Sequence, residues 1–145
     1  MLILAAAVAI STQFGSAEIE PFGATATSWI PAGGSEVFAM ARQYDKCERG
    51  SQIHGGFPLC WPWAVFEGEK GCKIHGFTRY VTWRVAKRSD DSVTLALDDS
   101  YETRAVWPHR FHAELTYRIG KNNFSAEFIV MAQGLTPLVG WRVVE

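Results

Sequence analysis

Apolar and polar residues alternate along most of the second half of the chain, and this alternation constrains the fold more than any other feature. The segment VTLALD, residues 93–98, alternates in this way, and so does FHAELTYRI, residues 111–119. Successive side chains of a β-strand point to opposite faces of a sheet, so the pattern predicts strands with one buried face. No segment shows a sustained helical period, which favours an all-β chain.

Turn-forming residues separate the alternating segments and predict two antiparallel hairpins. In the first hairpin, one strand has an apolar face formed by Val81, Trp83 and Val85. The turn KRSDDS connects it to the second strand at residues 93–98. The second pairs residues 111–119 to residues 124–130 through the turn GKNN. Nearer the start of the chain, glycine- and proline-rich turns divide short strands that we expect at residues 1–10, 17–19, 25–30 and 37–40.

The size and composition of the chain are those of one ordinary globular unit. Its 145 residues are 48% hydrophobic and 20% charged, without a linker or repeat, so residues 1–145 are expected to form a single domain. A sheet with one apolar face must bury that face against a second layer, which lies either in this chain or outside it. The apolar segment at residues 1–10 is too short to span a bilayer and lacks the basic region of a secretory signal, so a cytoplasmic protein without a membrane partner is expected.

The charge balance limits the choice of ligand. Fourteen basic and fifteen acidic residues give a net charge of −1, so no field of the whole chain attracts nucleic acid or an anionic membrane. We therefore expect no nucleic-acid partner. An anionic ligand has to be held by a local cluster of basic side chains.

The three cysteines do not form a recognisable metal or disulfide framework. Cys47, Cys60 and Cys72 include no C-x-x-C pair, and an odd number favours reduced thiols. Cys72 and His75 have a spacing that zinc sites use, but the other separations match no zinc module. The expectation is a chain without a metal.

The segment HGGFPLCWPW, residues 54–63, concentrates glycine, proline and tryptophan in one loop. Glycine permits close backbone approach and proline fixes φ, so the loop is expected to be stiff. Trp61 and Trp63 offer flat apolar faces on which a sugar ring can stack, or they plug the end of the sandwich. Residue chemistry alone favours the plug.

The segment KIHGFTRYVTW, residues 73–83, brings His75 and Arg79 to a loop that leads into a strand. A guanidinium there is suited to clamp a phosphate or a carboxylate, because it donates paired hydrogen bonds and keeps its charge. The alternatives are a solvated arginine and a histidine with a structural hydrogen bond.

The segment ETRAVWPHRF, residues 102–111, joins the two hairpins. Trp107 and Pro108 are expected to pack against a sheet edge. The charged residues have no spacing that demands chemistry, so we interpret them as structural: Glu102, Arg104, His109 and Arg110.

Four motifs in order carry a resemblance to a known family: GATATSWIPAGG, QIHGGFPLCWPW, HGFTRYVTW and DDSYETRAVWPHRF. Together they resemble the D-hexose-6-phosphate mutarotases, also called glucose-6-phosphate 1-epimerases, from about residue 17 to about residue 130. The resemblance implies the galactose mutarotase-like β-sandwich. Members of this family are considerably longer, and the chain resembles their N-terminal part.

The resemblance also implies a reaction, the interconversion of the α and β anomers of a hexose 6-phosphate without cofactor or metal. A base takes the proton of the anomeric hydroxyl, an acid protonates the ring oxygen, and the open chain closes on its other face. In the family a histidine and a glutamate do this, both in segments beyond the last motif found here. No residue of this chain is therefore expected to be catalytic.

The same resemblance implies that this chain binds the substrate, a small-molecule hexose phosphate. Arg79 holds the arginine position of the family's HGF-x-R motif and is the first candidate for the phosphate contact, with His54, His75 and Trp63 as further substrate-binding candidates. His54 stands where the family usually has arginine and Ile74 where it commonly has glutamine. Lys73 is an alternative to His54 as the second phosphate contact.

Two functions from different classes remain open at this point. One is a monomeric hexose-phosphate mutarotase, of which this chain is the substrate-binding part. The other is a carbohydrate-binding β-domain that has the sugar-facing loops without the acid–base pair. A third possibility is a fragment that does not fold alone.

Overall fold

The computed structural model describes residues 6–40, 53–64, 75–133 and 142–143 of the chain. Across these residues the fold consists of two antiparallel sheets with one short α-helix and a single turn of 3-10 helix. The all-β structure predicted from the alternation and the β-sandwich implied by the family resemblance are both confirmed.

The first sheet has three strands that follow one another along the chain, in the order β1-β2-β3. They are β1 (Val8–Thr12), β2 (Gly15–Glu20) and β3 (Thr25–Pro31). β1 pairs with β2 so that Ile10 lies opposite Ala17. The pairing of β2 with β3 shifts by one residue between Glu18 and Ile19, which marks a bulge.

The second sheet has five strands in the order β4-β5-β6-β7-β8, again consecutive and antiparallel. They are β4 (Arg84–Arg88), β5 (Ser92–Asp98), β6 (Arg110–Ile119), β7 (Phe124–Gln133) and β8 (Arg142–Val143). β6 and β7 are ten-residue strands that pair along their whole length, from Arg110 opposite Gln133 to Ile119 opposite Phe124. The second predicted hairpin is confirmed, including the turn between them.

The core lies between the two sheets and is built from the inward residues of each alternating strand. On β6 every second residue is buried, and Ala113, Leu115 and Tyr117 are at most 1% exposed. The facing side is supplied by the first sheet, where Ile10 and Ile19 are also fully buried. The backbone nitrogen of Ser11 donates to the carbonyl of Asp90 at 3.0 Å, which ties the two sheets together at one edge.

The first hairpin forms, but its apolar face differs from the prediction at one residue. Trp83 is 1% exposed, whereas Val85 is 44% exposed. The pairing of β4 with β5 shifts between Val85 and Lys87, and such an irregularity breaks the strict alternation of faces. The expected placement of Val85 in the core is therefore wrong.

Two further expectations need correction. Residues 37–40 form no continuous strand: Val37 donates to the carbonyl of Trp29 and Met40 forms an isolated bridge with Gly55, but the backbone nitrogen of Phe38 between them donates to the carboxylate of Glu36. Although no segment shows a helical period, residues in the segment that joins the two hairpins form the helix α1 (Tyr101–Val106). Ser100 caps it in a reciprocal pair with Thr103, and this capping box starts a helix too short to show a period.

Among the described residues, none of the helical segments has the length and apolar character needed to traverse a bilayer.

Candidate functional site

Two of the loops singled out in the sequence pack directly on each other. Gly76 lies so close to the carbonyl of Trp61 that a Cβ atom would overlap it, and its φ is +81°. The hydroxyl of Thr78 donates to the same carbonyl at 3.0 Å. The motifs HGGFPLCWPW and HGFTRYVTW therefore form one structural unit, although residues 65–74 between them lie outside the described part of the chain.

The paired glycines of the first loop press it against β3 and the segment after it. A Cβ on Gly56 would overlap the carbonyl of Ala26, and one on Gly55 would overlap the carbonyl of Ala39. The backbone nitrogen of Phe57 donates to the Ala26 carbonyl at 2.8 Å. The close approach explains why this stretch has glycine at both positions.

The second loop is fixed to the turn between β2 and β3. The backbone nitrogen of Trp83 donates to the carbonyl of Pro21 at 2.9 Å, and that of Gly23 to the carbonyl of Val81 at 2.8 Å. The indole nitrogen of Trp83 donates to the carbonyl of Thr78 at 3.0 Å. This network holds the single 3-10 turn, Thr78–Tyr80, in place.

Arg79 lies in the middle of that turn and is only 7% exposed. Its Nη2 donates to the carbonyl of Ile53 at 3.3 Å. Its Nε is buried without a hydrogen-bond partner, and no carboxylate of the described residues forms an ion pair with it. The solvated-arginine interpretation is wrong, since this is a buried cation with unused donor capacity.

The hydrogen bond to Ile53 places the guanidinium of Arg79 beside the residue that precedes His54. His54 itself is exposed. The structure therefore brings the backbone of the His54 segment to the Arg79 side chain, across 26 residues of sequence.

His75 has a structural hydrogen bond, because its Nδ1 contacts the carbonyl of Ala64. A carbonyl only accepts, so the proton of a neutral ring is on Nδ1 and Nε2 remains an acceptor. The backbone of His75 has a φ of +66°, in the left-handed region. This contact favours the structural interpretation of His75 over a binding role.

The two tryptophans of the first loop have different surroundings. Trp61 makes edge-to-face contacts with four aromatic rings, at centroid distances of 4.8–5.9 Å: Phe77, Trp107, Phe111 and Phe128. Packing as a plug is thereby confirmed for Trp61. Trp107 packs at the start of β6, as its place between the hairpins predicts.

Trp63 instead lines a cavity of about 180 Å³ between the second loop and α1. Phe77, Tyr80, Glu102 and Val106 also line it. His54, His75 and Arg79 are not among the described residues of its wall. Of the four predicted binding residues, Trp63 lines this cavity, His54 follows the residue that contacts Arg79, and His75 contacts Ala64 instead.

The hydrogen bonds that the hydroxyl of Tyr117 makes inside the core were not predicted from the sequence. Its hydroxyl donates to the carbonyl of Ala24 at 2.8 Å, and the carbonyl of Phe57 lies at 3.4 Å. Burial raises the pKa of this phenol, so it stays protonated and remains a donor. Alternation predicts that Tyr117 points inward, but its partners lie 93 and 60 residues away and have no sequence signal.

The described residues show no metal-binding cluster. Cys60 is a free, exposed thiol, and the described residues contain no group of three histidine, cysteine or acidic side chains that is arranged to hold a metal. Cys47, Cys72, Lys73 and Ile74 lie outside the described residues.

The consecutive antiparallel strands, the two-layer core and the loop pair around Arg79 define a protein of the galactose mutarotase-like fold. The solved structure of a "putative mutarotase (YeaD)" from Salmonella typhimurium matches 88% of this chain with a TM-score of 0.71 and 30% identity. The Slr1438 protein from Synechocystis sp. PCC 6803 matches 86% with a TM-score of 0.73 at 18% identity, which supports the fold alone. The chain covers 43% and 48% of these two structures.

The family model described as Aldose 1-epimerase matches residues 7–139, and the chain belongs to this family. It is 36% identical over 103 residues to the Escherichia coli (strain K12) protein named "Putative glucose-6-phosphate 1-epimerase". It is 33% identical to the protein of the same name from Salmonella typhimurium. The alignments cover 68% of this chain and 35% of each relative, so the chain spans about a third of their length.

Proposed function

We propose that this chain forms the sugar-phosphate-binding part of a cytoplasmic hexose-6-phosphate 1-epimerase and that Arg79 contacts the phosphate. The observation that carries the proposal is the state of Arg79, a buried guanidinium whose Nε has no partner. Burying a cation costs free energy unless an anion or further hydrogen bonds compensate. A phosphate supplies both, because it is anionic and accepts several hydrogen bonds.

The surroundings of Arg79 support a preorganised site. The 3-10 turn is held by Trp83 and Thr78, and the Ile53 carbonyl already orients one end of the guanidinium. A fixed side chain loses little conformational entropy when the ligand arrives. His54, on the same loop, is the candidate for a second contact where the family has arginine.

Membership of the aldose 1-epimerase family supports the reaction class, and the names of the relatives support a glucose 6-phosphate substrate. Epimerisation at C1 needs one group that removes the anomeric proton and one that protonates the ring oxygen. These two roles are not assigned to residues of this chain. The chain's own contribution is to bind the phosphate and to fix the orientation of the sugar.

Anomer exchange tests the reaction. Two-dimensional exchange NMR on glucose 6-phosphate, with and without the protein, measures the rate of α to β conversion. Accelerated exchange supports the epimerase. Binding without acceleration is consistent with the binding role alone, and absence of glucose 6-phosphate binding contradicts the proposal.

Ligand titration of variants tests the role of Arg79. Arg79→Ala should weaken glucose 6-phosphate binding by roughly 10- to 100-fold, the range for a lost charged hydrogen bond, and leave the affinity for glucose much less changed. Arg118→Ala is the matched control, because Arg118 is exposed and pairs with Asp91 at 2.9 Å. Equal losses for both sugars would remove Arg79 from the phosphate site.

A further inference from the structure

A second and larger cavity, of about 440 Å³, lies near the turn that joins β6 to β7. Four aromatic rings and two amides dominate its lining: Trp29, Phe38, Phe57, Phe124, Asn122 and Asn123. No charged side chain is among the described residues of the wall, and neither are His54, His75, Trp63 and Arg79. Its size and its mixture of apolar surface with a few polar groups are typical of small-molecule sites.

The aromatic part of the wall is fixed by stacking. Phe124 stacks on Trp29 with a centroid distance of 5.1 Å and an angle of 18°, and it stacks on Tyr117 at 5.7 Å and 9°. Phe38 meets the edge of Phe124 at 6.0 Å. Such contacts hold the rings in defined orientations.

Hydrogen bonds fix the loops that carry these rings. One carboxylate oxygen of Glu36 accepts from the backbone nitrogens of Trp29 and Phe38, both at 2.9 Å. The second oxygen accepts from the hydroxyl of Ser28 at 2.5 Å. Burial acts to raise the pKa of Glu36, but these hydrogen bonds together outweigh it and lower the pKa, so the carboxylate stays ionised and keeps the segment in place. The cavity is thus formed before a ligand arrives, which reduces the entropic cost of binding.

The two asparagines give the wall its polar edge. Both are exposed, and their amide groups form no hydrogen bond with another described residue. The backbone carbonyl of Asn123 accepts from Gly120 at 2.8 Å, so the turn that presents the amides is itself ordered. Each amide offers donors and an acceptor, which matches hydroxyl groups that both donate and accept.

We propose that this cavity binds an uncharged, ring-shaped ligand that carries hydroxyl groups, of the chemical class of a pyranose. The aromatic rings contact the apolar face of such a ring, and Asn122 and Asn123 bind its hydroxyls. A wall without charge does not compensate a phosphate or a carboxylate, so anionic ligands are disfavoured. The site is independent of the phosphate contact proposed for Arg79.

Saturation-transfer difference NMR with methyl glucoside tests this site, because methyl glucoside is uncharged and its ring does not open. We expect signals with the full chain, and we expect them to vanish in Val37→Trp, since Val37 lines the cavity and is 57% exposed. Val85→Trp is the matched control, at a residue 44% exposed on β4 and outside the wall, and it should keep the signals. Asn122→Ala should weaken binding about 2- to 10-fold, the range for one neutral hydrogen bond.

Four outcomes would overturn the proposal. Absence of signals from methyl glucoside with the folded wild type removes it. Signals that persist in Val37→Trp place the ligand elsewhere. Loss of the signals in Arg79→Ala assigns them to the Arg79 site, while binding of cyclohexane in place of methyl glucoside makes the cavity a purely apolar one.

Discussion

The hydroxyl of Tyr117 donates to the carbonyl of Ala24 at 2.8 Å, and so joins the centre of β6 to the start of β3 across the core. Ala24 is fully buried, so its carbonyl has no access to water. Since the carbonyl of Phe57 lies 3.4 Å from the same hydroxyl, Tyr117 also reaches the loop that carries His54. One buried phenol thereby connects the core of the sandwich with the candidate site.

Tyr117→Phe should therefore destabilise the chain by about 1–3 kcal/mol, the cost of a buried acceptor that has lost its partner. Urea denaturation followed by tryptophan fluorescence measures the change in the free energy of unfolding. Tyr101→Phe is the control, because Tyr101 is 80% exposed and the same loss of an oxygen should have little effect there. Similar stabilities of the two variants would show that the bond to Ala24 contributes nothing.

Gly76→Ala should be among the most damaging single substitutions in the chain. Its Cβ would overlap the backbone carbonyl of Trp61, which cannot move without separating the two loops of the site, and its φ of +81° adds strain. We expect a loss of roughly 3 kcal/mol or more. Gly33→Ala is the matched control, since Gly33 has a φ of +73° but no atom within 4 Å of the added carbon. Gly33→Ala should lose only roughly 1–2 kcal/mol of stability, the cost of a left-handed backbone with a side chain. Equal melting temperatures of the two variants would contradict the packing argument.

The sheets were predictable from sequence to the extent that alternation was regular. Residues 111–119 alternate without interruption, and the structure gives a ten-residue strand there with every inward side chain buried. The pattern at Val81, Trp83 and Val85 was misleading because the shift between Val85 and Lys87 is set by pairing with β5 and not by local sequence. Helix α1 spans six residues, so only the capping pair of Ser100 and Thr103 signalled it.

The candidate site was predictable as a set of motifs but not as an arrangement. Residue chemistry alone predicts that the guanidinium of Arg79 is solvated. In the structure it is buried and donates to the carbonyl of Ile53, which is 26 residues away in sequence. Likewise, Trp61 and Trp63 have the same chemistry and both meet the edge of Phe77, yet only Trp63 also lines a cavity, while Trp61 packs against further rings. Long-range packing decided both outcomes, and a single sequence contains no record of it.

The outer face of the second sheet carries a pH-sensitive network. His112 on β6 contacts Asp98 of β5 at 2.6 Å and Glu114 at 3.3 Å, and Asp98 also pairs with Arg84 of β4 at 3.5 Å. The hydrogen bond to Asp98 is the main cause that raises the pKa of His112 above 6.5 in the fold, and burial opposes it. The bond to His112 likewise lowers the pKa of Asp98 below 3.8.

The sign of the pH dependence follows from these two shifts. The stabilisation by His112 is complete below its unfolded pKa, near 6.5, and is lost as the pH rises through the higher pKa of the folded chain. That of Asp98 is present above about 3.8 and is lost as the pH falls through its lowered pKa. Because the groups are partly exposed, we expect an effect below about 1 kcal/mol. Urea denaturation between pH 5.5 and pH 8.5 measures this effect. As the pH rises, the free energy of unfolding should fall more in the wild type than in His112→Gln, and the control His54→Gln should behave like the wild type. Parallel pH profiles of the wild type and His112→Gln would contradict the network.

Arg79→Met separates ligand binding from stability. The side chain keeps much of its apolar volume, while a buried charge that no described carboxylate neutralises disappears and the Ile53 carbonyl loses one donor. Replacing buried ions with apolar side chains is often neutral or stabilising, so the free energy of unfolding should stay unchanged or rise by up to about 2 kcal/mol.

Ligand binding in Arg79→Met should behave in the opposite way. Glucose 6-phosphate should raise the melting temperature of the wild type, as a ligand of the folded state does, and leave that of Arg79→Met unchanged. Arg118→Met should retain the ligand-dependent rise, because Arg118 pairs with Asp91 on the surface. Arg79→Met could instead lose several kcal/mol of stability and still show the ligand-dependent rise in melting temperature. That result would make Arg79 a structural residue that does not contact the phosphate.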